Sequence, residues 1–381
     1  MATAFVQFAR RTGGAWIKAG QLLGTRRDLF SDDAIRVLSQ LRDQVGGRPP
    51  RKLKTLLARR LEGTGHRLLS VDPSPLASGS VAFIHLATLS GIEGTLAVKV
   101  RRTNVERKVA QDLRLLRRAA ALMGRWPRFA HIPLERMVET LATAISRQVN
   151  FANEVDNTLK FQRAFAGTST NFPRIYHHIS SEDVIFMDYE NNIVSIDAVT
   201  TVANLEGMYE NLVRSIYKML FVDGFFHCDV HPGNVFFRDD GDCMFLDCGL
   251  AAELTAEERD NFSDFFLCIA FNRGARAADM LLRTALRVPA SLDRATFRYD
   301  IASVVARVAG LRAREFKVAV FVSDLFEQMR RHSIISAPEF VWMITVLLTI
   351  EGPVKAHYPD MDFQRLAVDV IVDSRFETMR T

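Results

Sequence analysis

Residues 225–237 read FFHCDVHPGNVFF, so two apolar runs that belong in a core enclose two histidines, an aspartate and an asparagine. Polar groups carried inward without partners cost about 1–3 kcal/mol each. Any fold for this chain must therefore satisfy them, through a metal, a loop that binds a polar ligand, or an ordinary turn. His227, Asp229 and His231 alternate and would point to one side of an extended segment, a spacing that zinc tolerates. Against zinc, no further cluster of His, Cys or carboxylate donors lies nearby except at Asp247, and neither Asn234 nor Pro232-Gly233 has a role at such a centre.

Phosphoryl-transfer chemistry accounts for more of these residues. It needs a carboxylate near the attacking group, an amide oxygen on magnesium and a second carboxylate bridging metal and phosphates. Protein kinases supply them as H-R-D-x-x-x-x-N followed by D-F-G. His227, Asp229 and Asn234 stand at the same offsets, and FLDCG then supplies Asp247 and Gly249. A hairpin turned by DDGD (239–242) would carry Asp247 and Gly249 on its second strand. That places Asn234 beside Asp247 as oxygen ligands for Mg²⁺. The pattern also demands a lysine in an upstream sheet, and AVKV provides Lys99 on a strand whose Val98 and Val100 face the other way. Such a lysine meets the nucleotide phosphates and is anchored by a helix glutamate, for which Glu154 is the candidate. One hairpin earlier, LASGSVAFIH offers Ala77, Ser78, Gly79, Ser80 and Val81 as a nucleotide loop of small residues, without the G-x-G-x-x-G spacing. Asp229 is the candidate catalytic carboxylate, either as base for a hydroxyl acceptor or to orient a water.

The rest of the chain reads as α+β. Helices are expected from Ser31 to the GGRPP break (46–50) and over 50–62, then a β-hairpin over 81–89 and 95–102. A basic helix over 104–124, one long helix over 134–165, strands over 172–179 and 182–189, and a helix over 204–220 follow. Nearly everything beyond Thr255 has helical patterning. This order predicts an N-terminal helical extension (1–66), a small β-containing lobe (67–190) and a helical lobe (191–381). Four scattered cysteines without a CxxC pair speak against a disulfide scaffold and for a reducing compartment. The longest apolar run, Phe340 to Ile350, is too short to span a bilayer. The N-terminus lacks a signal-peptide core, and MATAFVQFARR, basic and amphipathic, is expected to be structural. Net charge is +5, and residues 1–27 hold no acid, which suits a solvated helix face or an anionic lipid or phosphorylated ligand.

Together with WIKAGQ (16–21), these residues resemble the UbiB family, the aarF-domain atypical kinases. The resemblance covers nearly the whole chain: K-x-G-Q as Lys18, Gly20 and Gln21, PLASGSVAFIH as the alanine-rich loop, and NFANEVDN (150–157) around Glu154. HCDVHPGN is similar to the family's H-A-D-P-H-P-G-N, and IEGPVKAHYPDMDF to its late E-G element. The resemblance implies a bilobal protein-kinase-like fold with added N-terminal helices that carry K-x-G-Q over the site as a regulatory element. It further implies ATP (or ADP) and Mg²⁺, ATPase activity in preference to protein phosphorylation, and a role in making or distributing quinone lipids. The expected place is the cytoplasmic or matrix-side face of a membrane, peripherally bound to anionic lipid. Quinone-biosynthesis proteins or a quinone-like lipid are the expected partners. No nucleic acid is expected, and a homodimer is left open. The chain departs from the family where an acidic E-x-D appears as Gln148-Val149-Asn150, where Ser78 and Gly79 replace alanines, and where Cys248 replaces the aromatic of D-F-G. Two other classes stay open: a small-molecule kinase of the aminoglycoside or choline kind, and an ATP-gated scaffold without catalysis. A conventional protein kinase fits poorly, because a helix expected from Thr255 leaves no room for an activation loop.

Overall fold

Among the described residues four short helices come first: α1 (Ala2–Thr12), α2 (Ala15–Leu23), α3 (Asp32–Leu38) and α4 (Leu53–Arg60). The computed structural model describes residues 2–12, 15–24, 26, 29–30, 32–38, 40–41, 52–126, 134–199, 204–309, 311 and 314–378. Within it α1, α2 and α3 close a small core of Val6, Ala9, Trp16, Ile17, Leu38 and Leu41. The helix expected from Ser31 stops at Leu38, and residues 42–51, with Val45 and GGRPP, lie outside the described residues. Gly20 permits the close approach, because a Cβ there would run into Leu41 Cδ1 and press on the Phe5 ring. A Gly20→Ala variant is expected to lose about 1–3 kcal/mol of stability by overpacking. Thermal unfolding checks this, and Leu41→Ala in the same background should restore part of the loss. An unshifted midpoint for Gly20→Ala would contradict it.

Alternation builds the small sheet. Strands β1 (Leu68–Val71), β2 (Ala77–Ser78), β3 (Ala82–Leu89) and β4 (Leu96–Arg101) are followed by α5 (Val105–Met123), α6 (Leu134–Val149) and α7 (Phe151–Ala164). Then come β5 (Thr170–Asn171) and β6 (Val184–Asp188). The sheet runs β1-β3-β4-β6, all antiparallel, with β2 added on β3. Val98 and Val100 of β4 face a core with Leu53 and Leu57 of α4, so the two-residue period turns Lys99 to the opposite side. There Phe151 and Val155 of α7 pack on Ala82 and Ile185.

Two expectations fail here. The long helix over 134–165 is two helices, because Asn150 is extended and its side chain accepts a hydrogen bond from Ala152 N, starting α7 afresh. The strand expected over 172–179 is only an isolated bridge, Ile175 to Met187. Pro173 has no N–H, and the Tyr176 carbonyl is taken by turn bonds from Ile179 N and Ser180 N.

The second lobe holds β7 (Ile193–Ser195) and α8 (Leu205–Tyr217), which runs into a π-helical turn (Lys218–Asp223). β8 (Phe225–His227), β9 (Val235–Arg238), β10 (Cys243–Phe245) and β11 (Ala251–Glu253) follow. The remainder is α9 (Ala256–Ala270), α10 (Gly274–Thr284), β12 (Ala285–Arg287), α11 (Arg294–Val308), α12 (Val318–Arg331), β13 (Ile335–Ser336), α13 (Pro338–His357) and α14 (Phe363–Thr378). One core running from Phe161 to Ile371 unites these helices. The apolar run 340–350 lies within α13 with most of its side chains buried, and the buried Glu351 carboxylate just beyond it caps α12 by accepting from Val318 N and Ala319 N. Among the described residues no helix is long and apolar enough to cross a membrane.

The result is an α+β, bilobal, protein-kinase-like fold. The N-terminal helices touch both lobes: Ala19 of α2 shares a core with Val109 and Ile145, against which Val81, Leu250 and Trp342 pack. Arg26 donates to the Ser336 carbonyl, and Arg330 to that of Phe30.

Candidate active site

Between the lobes lies a cleft of about 500 Å³ whose walls include the loop 77–81, Lys99, Glu154, Asp229, Asn234 and Asp247. The elements that meet there are far apart in sequence. β4 delivers Lys99 and the first turn of α7 delivers Glu154, and Lys99 Nζ donates to both carboxylate oxygens at 2.8 Å. The same ammonium donates to Asp247 Oδ1 at 2.9 Å. Lys99 and Glu154 are buried, whereas the Asp247 side chain is half exposed to the cleft. Burial pulls the Lys99 ammonium down, but Asp247 and Glu154 together more than reverse this and hold its proton firmly. Burial pushes the Glu154 carboxyl up to about 7, against the pull of Lys99 and with the help of Asp247.

Asp247 stands just past β10, not on a strand as its sequence suggested, with φ at 51°. The ladder ends one residue earlier, where Leu246 N donates to Asn234 O at 2.7 Å. A short polar residue tolerates this left-handed backbone. Gly249 must be small, since a Cβ there would lie 3.1 Å from Asp247 Oδ1 and 3.2 Å from Glu154 Oε2. Asn157 Nδ2 donates to the Cys248 carbonyl at 2.9 Å and ties α7 to this turn.

The histidines of HCDVHPGN serve the backbone. Buried His227 accepts from Asp229 N at its Nδ1 (3.0 Å), and its Nε2 meets the Leu246 carbonyl at 3.1 Å. Nδ1 as acceptor puts the proton on Nε2, so His227 is a neutral strut, and burial lowers its affinity for a second proton. His231 Nδ1 accepts from Gly233 N at 3.0 Å and closes the Pro-Gly turn. With both His227 nitrogens engaged, zinc has no ligand set, and no cluster of three or more His, Cys, Asp or Glu arranged for a metal exists among the described residues.

Asn234 Nδ2 donates to the Asp229 carbonyl at 3.0 Å, which turns its amide oxygen the other way. Asn234 and Asp247 thus bring an amide oxygen and a carboxylate to one cleft, a donor set suited to a hard, oxygen-seeking cation.

On the roof, Ala77, Ser78, Gly79, Ser80 and Val81 all line the cleft, and Gly79 N closes the loop on Ala82 O at 3.0 Å. Sequence reasoning missed its brace. Arg102 Nε donates to the Gly79 carbonyl and Nη2 to Ser78 Oγ, each at 2.8 Å, while its guanidinium lies 4.2 Å from the Phe83 ring centroid. No periodicity marks Arg102, and the adjacent Arg101 would have served the pattern equally well. A Cβ on Gly79 would meet nothing closer than 3.9 Å, so its place in the loop is not a steric demand.

Gly20 lies in α2, but the side chains of Lys18 and Gln21 lie outside the described residues. Gln148 lines the cleft, and its buried Oε1 has no hydrogen-bond partner among the described residues.

The family model described as the ABC1 atypical kinase-like domain matches residues 40–281. The chain belongs to the ABC1 atypical kinase-like family. Its curated ABC1 relatives include proteins named probable protein kinase UbiB. That of Shewanella pealeana is 31% identical over 368 residues, covering 93% of this chain and 66% of the relative. That of Vibrio parahaemolyticus is 28% identical over 365 residues, covering 93% and 67%. The chain therefore spans about two thirds of the length of the curated relatives it matches. Among solved structures, Mycobacterium tuberculosis Rv3197, determined in complex with erythromycin, aligns over 97% of this chain and 94% of its own at a TM-score of 0.59. At 16% identity that likeness speaks for the fold alone.

Proposed function

We propose that this ABC1 protein of the UbiB kind binds ATP or ADP with Mg²⁺ in the cleft and spends the nucleotide at a membrane surface in support of isoprenoid-quinone biosynthesis. The observation that carries the nucleotide part is the network of Lys99, Glu154 and Asp247 at the cleft wall. Lys99, steadied by Glu154, meets the phosphates, while the loop 77–81 presents its backbone from above. Asn234 and Asp247 hold the cation, whose charge when bound offsets that of the phosphates. Asp229 accepts a proton from a hydroxyl acceptor or orients a water. The short path from Gly249 through β11 to α9 at Ala256 offers no peptide-docking segment, which favours water or a small acceptor over a protein. The same feature suits a small-molecule kinase, and labelled product from a choline or aminocyclitol panel would favour that reading. Relatives named UbiB support the quinone assignment, with quinone-biosynthesis proteins or a quinone-like lipid as partners.

The test is calorimetric titration of ATP with and without Mg²⁺, beside a comparison of quinone precursors in lipid extracts of cells with and without the protein. Wild type should require Mg²⁺. Asp247→Asn should weaken binding about 30-fold, the ~2 kcal/mol of one charge-assisted contact. Metal-independent binding, or an Asp247→Asn variant that binds like wild type, would overturn the nucleotide reading. Unchanged precursor levels would overturn the quinone one.

A further inference from the structure

The amphipathic helix α5 turns a face to solvent that the site does not use. Val105, Val109, Leu113 and Ala120 are buried beneath it. Arg107, Arg114 and Arg118 recur at i, i+7 and i+11, one stripe of the helix, Arg125 follows in the turn just past its end, and all four are exposed. None of the four has an ion pair among the described residues. Alongside lie Leu115 and Leu122, one helical stripe at i and i+7, with Trp126 in the bend just past the helix end, exposed by 51%, 61% and 62%. No acidic residue falls on this face: Glu106 and Asp112 lie to either side of it.

We propose that the outer face of α5 is a docking surface for an anionic lipid bilayer, with the leucines and tryptophan entering the headgroup boundary and the arginines meeting lipid phosphates. The proposal deepens the membrane-surface part of the proposed function and does not depend on the nucleotide chemistry. Two features select lipid over another polyanion. A nucleic acid or a free phosphate rewards the arginines but leaves two leucines in water. A bilayer interface rewards both stripes, and tryptophan is favoured at that depth. The helix is already rigid, because its buried side shares a core with α2 and α6, so docking requires no refolding.

The full chain is to be sedimented with phosphatidylcholine vesicles, with and without phosphatidylglycerol, and with heparin as competitor. Wild type should bind the anionic vesicles selectively, and less as salt rises. Arg114→Gln and Arg118→Gln should each weaken binding about fivefold. Leu115→Ser with Leu122→Ser should weaken it about tenfold or more. Melting temperatures and ATP titrations of these variants should match wild type, and Asp247→Asn should sediment with vesicles as wild type does. Failure of the nucleotide reading is thereby separable from failure of this one. Equal binding to neutral vesicles, or no binding to anionic ones, overturns the proposal. So does an arginine effect without a leucine effect, accompanied by full displacement by heparin, because that describes a general anion surface.

Discussion

Replacing Asp229 with asparagine is expected to slow ATP turnover by about 10²–10⁴-fold while nucleotide affinity stays within about twofold. The backbone of Asp229 is held on both sides, its N–H by His227 Nδ1 and its carbonyl by Asn234 Nδ2, each at 3.0 Å. Asparagine has the same shape, so neither clamp depends on the charge that is lost. Only the carboxylate's ability to take or steer a proton disappears. Neither histidine of the motif can replace it. His227 carries its proton on Nε2 against the Leu246 carbonyl, and burial lowers its tendency to gain another. His231 uses Nδ1 to accept from Gly233 N, so its neutral form presents an N–H toward Asp229, 3.7 Å away, and has no lone pair there to offer. Single-turnover hydrolysis of labelled ATP and a parallel calorimetric titration separate the two effects. Turnover near the wild-type rate would remove Asp229 from the chemistry, and a matching fall in affinity would make it a binding residue.

The cleft was legible because chemistry dictates residue type and order. A lysine on a β-branched strand, a helix glutamate, then H-x-D-x-x-x-x-N and D-x-G leave few arrangements open, and Lys99, Glu154, Asp229, Asn234 and Asp247 do line one cavity. What the sequence concealed depends on competition between local and tertiary preferences. At Asn150 the apolar period continues across the position, so a single helix was expected, yet a side chain that caps the next helix outcompetes continuation. FPRIYHHI has strand-like composition, but Pro173 cannot donate and the Tyr176 carbonyl is drawn into a turn, so pairing stops at the single bridge from Ile175 to Met187. The contribution of Arg102 to the loop is a contact across 23 residues with no periodic signature. The strands of the hairpin were found, but placing Asp247 beyond its end rather than on it required knowing that its φ is positive.

A Lys99→Met variant is expected to lose about 3–5 kcal/mol of stability, the usual result of removing one partner from a buried ion pair. Methionine fills much of the same volume, so the loss is electrostatic: Glu154 and Asp247 would face each other with no ammonium between them. Glu154 supplies a check on this cause. Its folded carboxyl stands at about 7 and an ordinary glutamate's at 4.5, so between those values the folded chain binds more protons than the unfolded one. The contribution of that group to stability is therefore fully present below pH 4.5 and lost as pH rises through 7. Lys99, whose proton is held more tightly in the fold, contributes no slope in that window. Urea unfolding of wild type and Glu154→Gln, whose amide does not titrate, should thus diverge across it, with wild type losing ground as pH rises. In the double variant Lys99→Met/Glu154→Gln most of the Lys99→Met loss should return, because no uncompensated charge remains buried at that wall. Nucleotide binding should stay absent in the double variant, since nothing there replaces the ammonium that meets the phosphates. Recovery of stability without recovery of binding assigns the glutamate to the upkeep of Lys99 and the lysine to the ligand. If the two single losses simply add, the pair is not coupled, and Glu154 has another purpose.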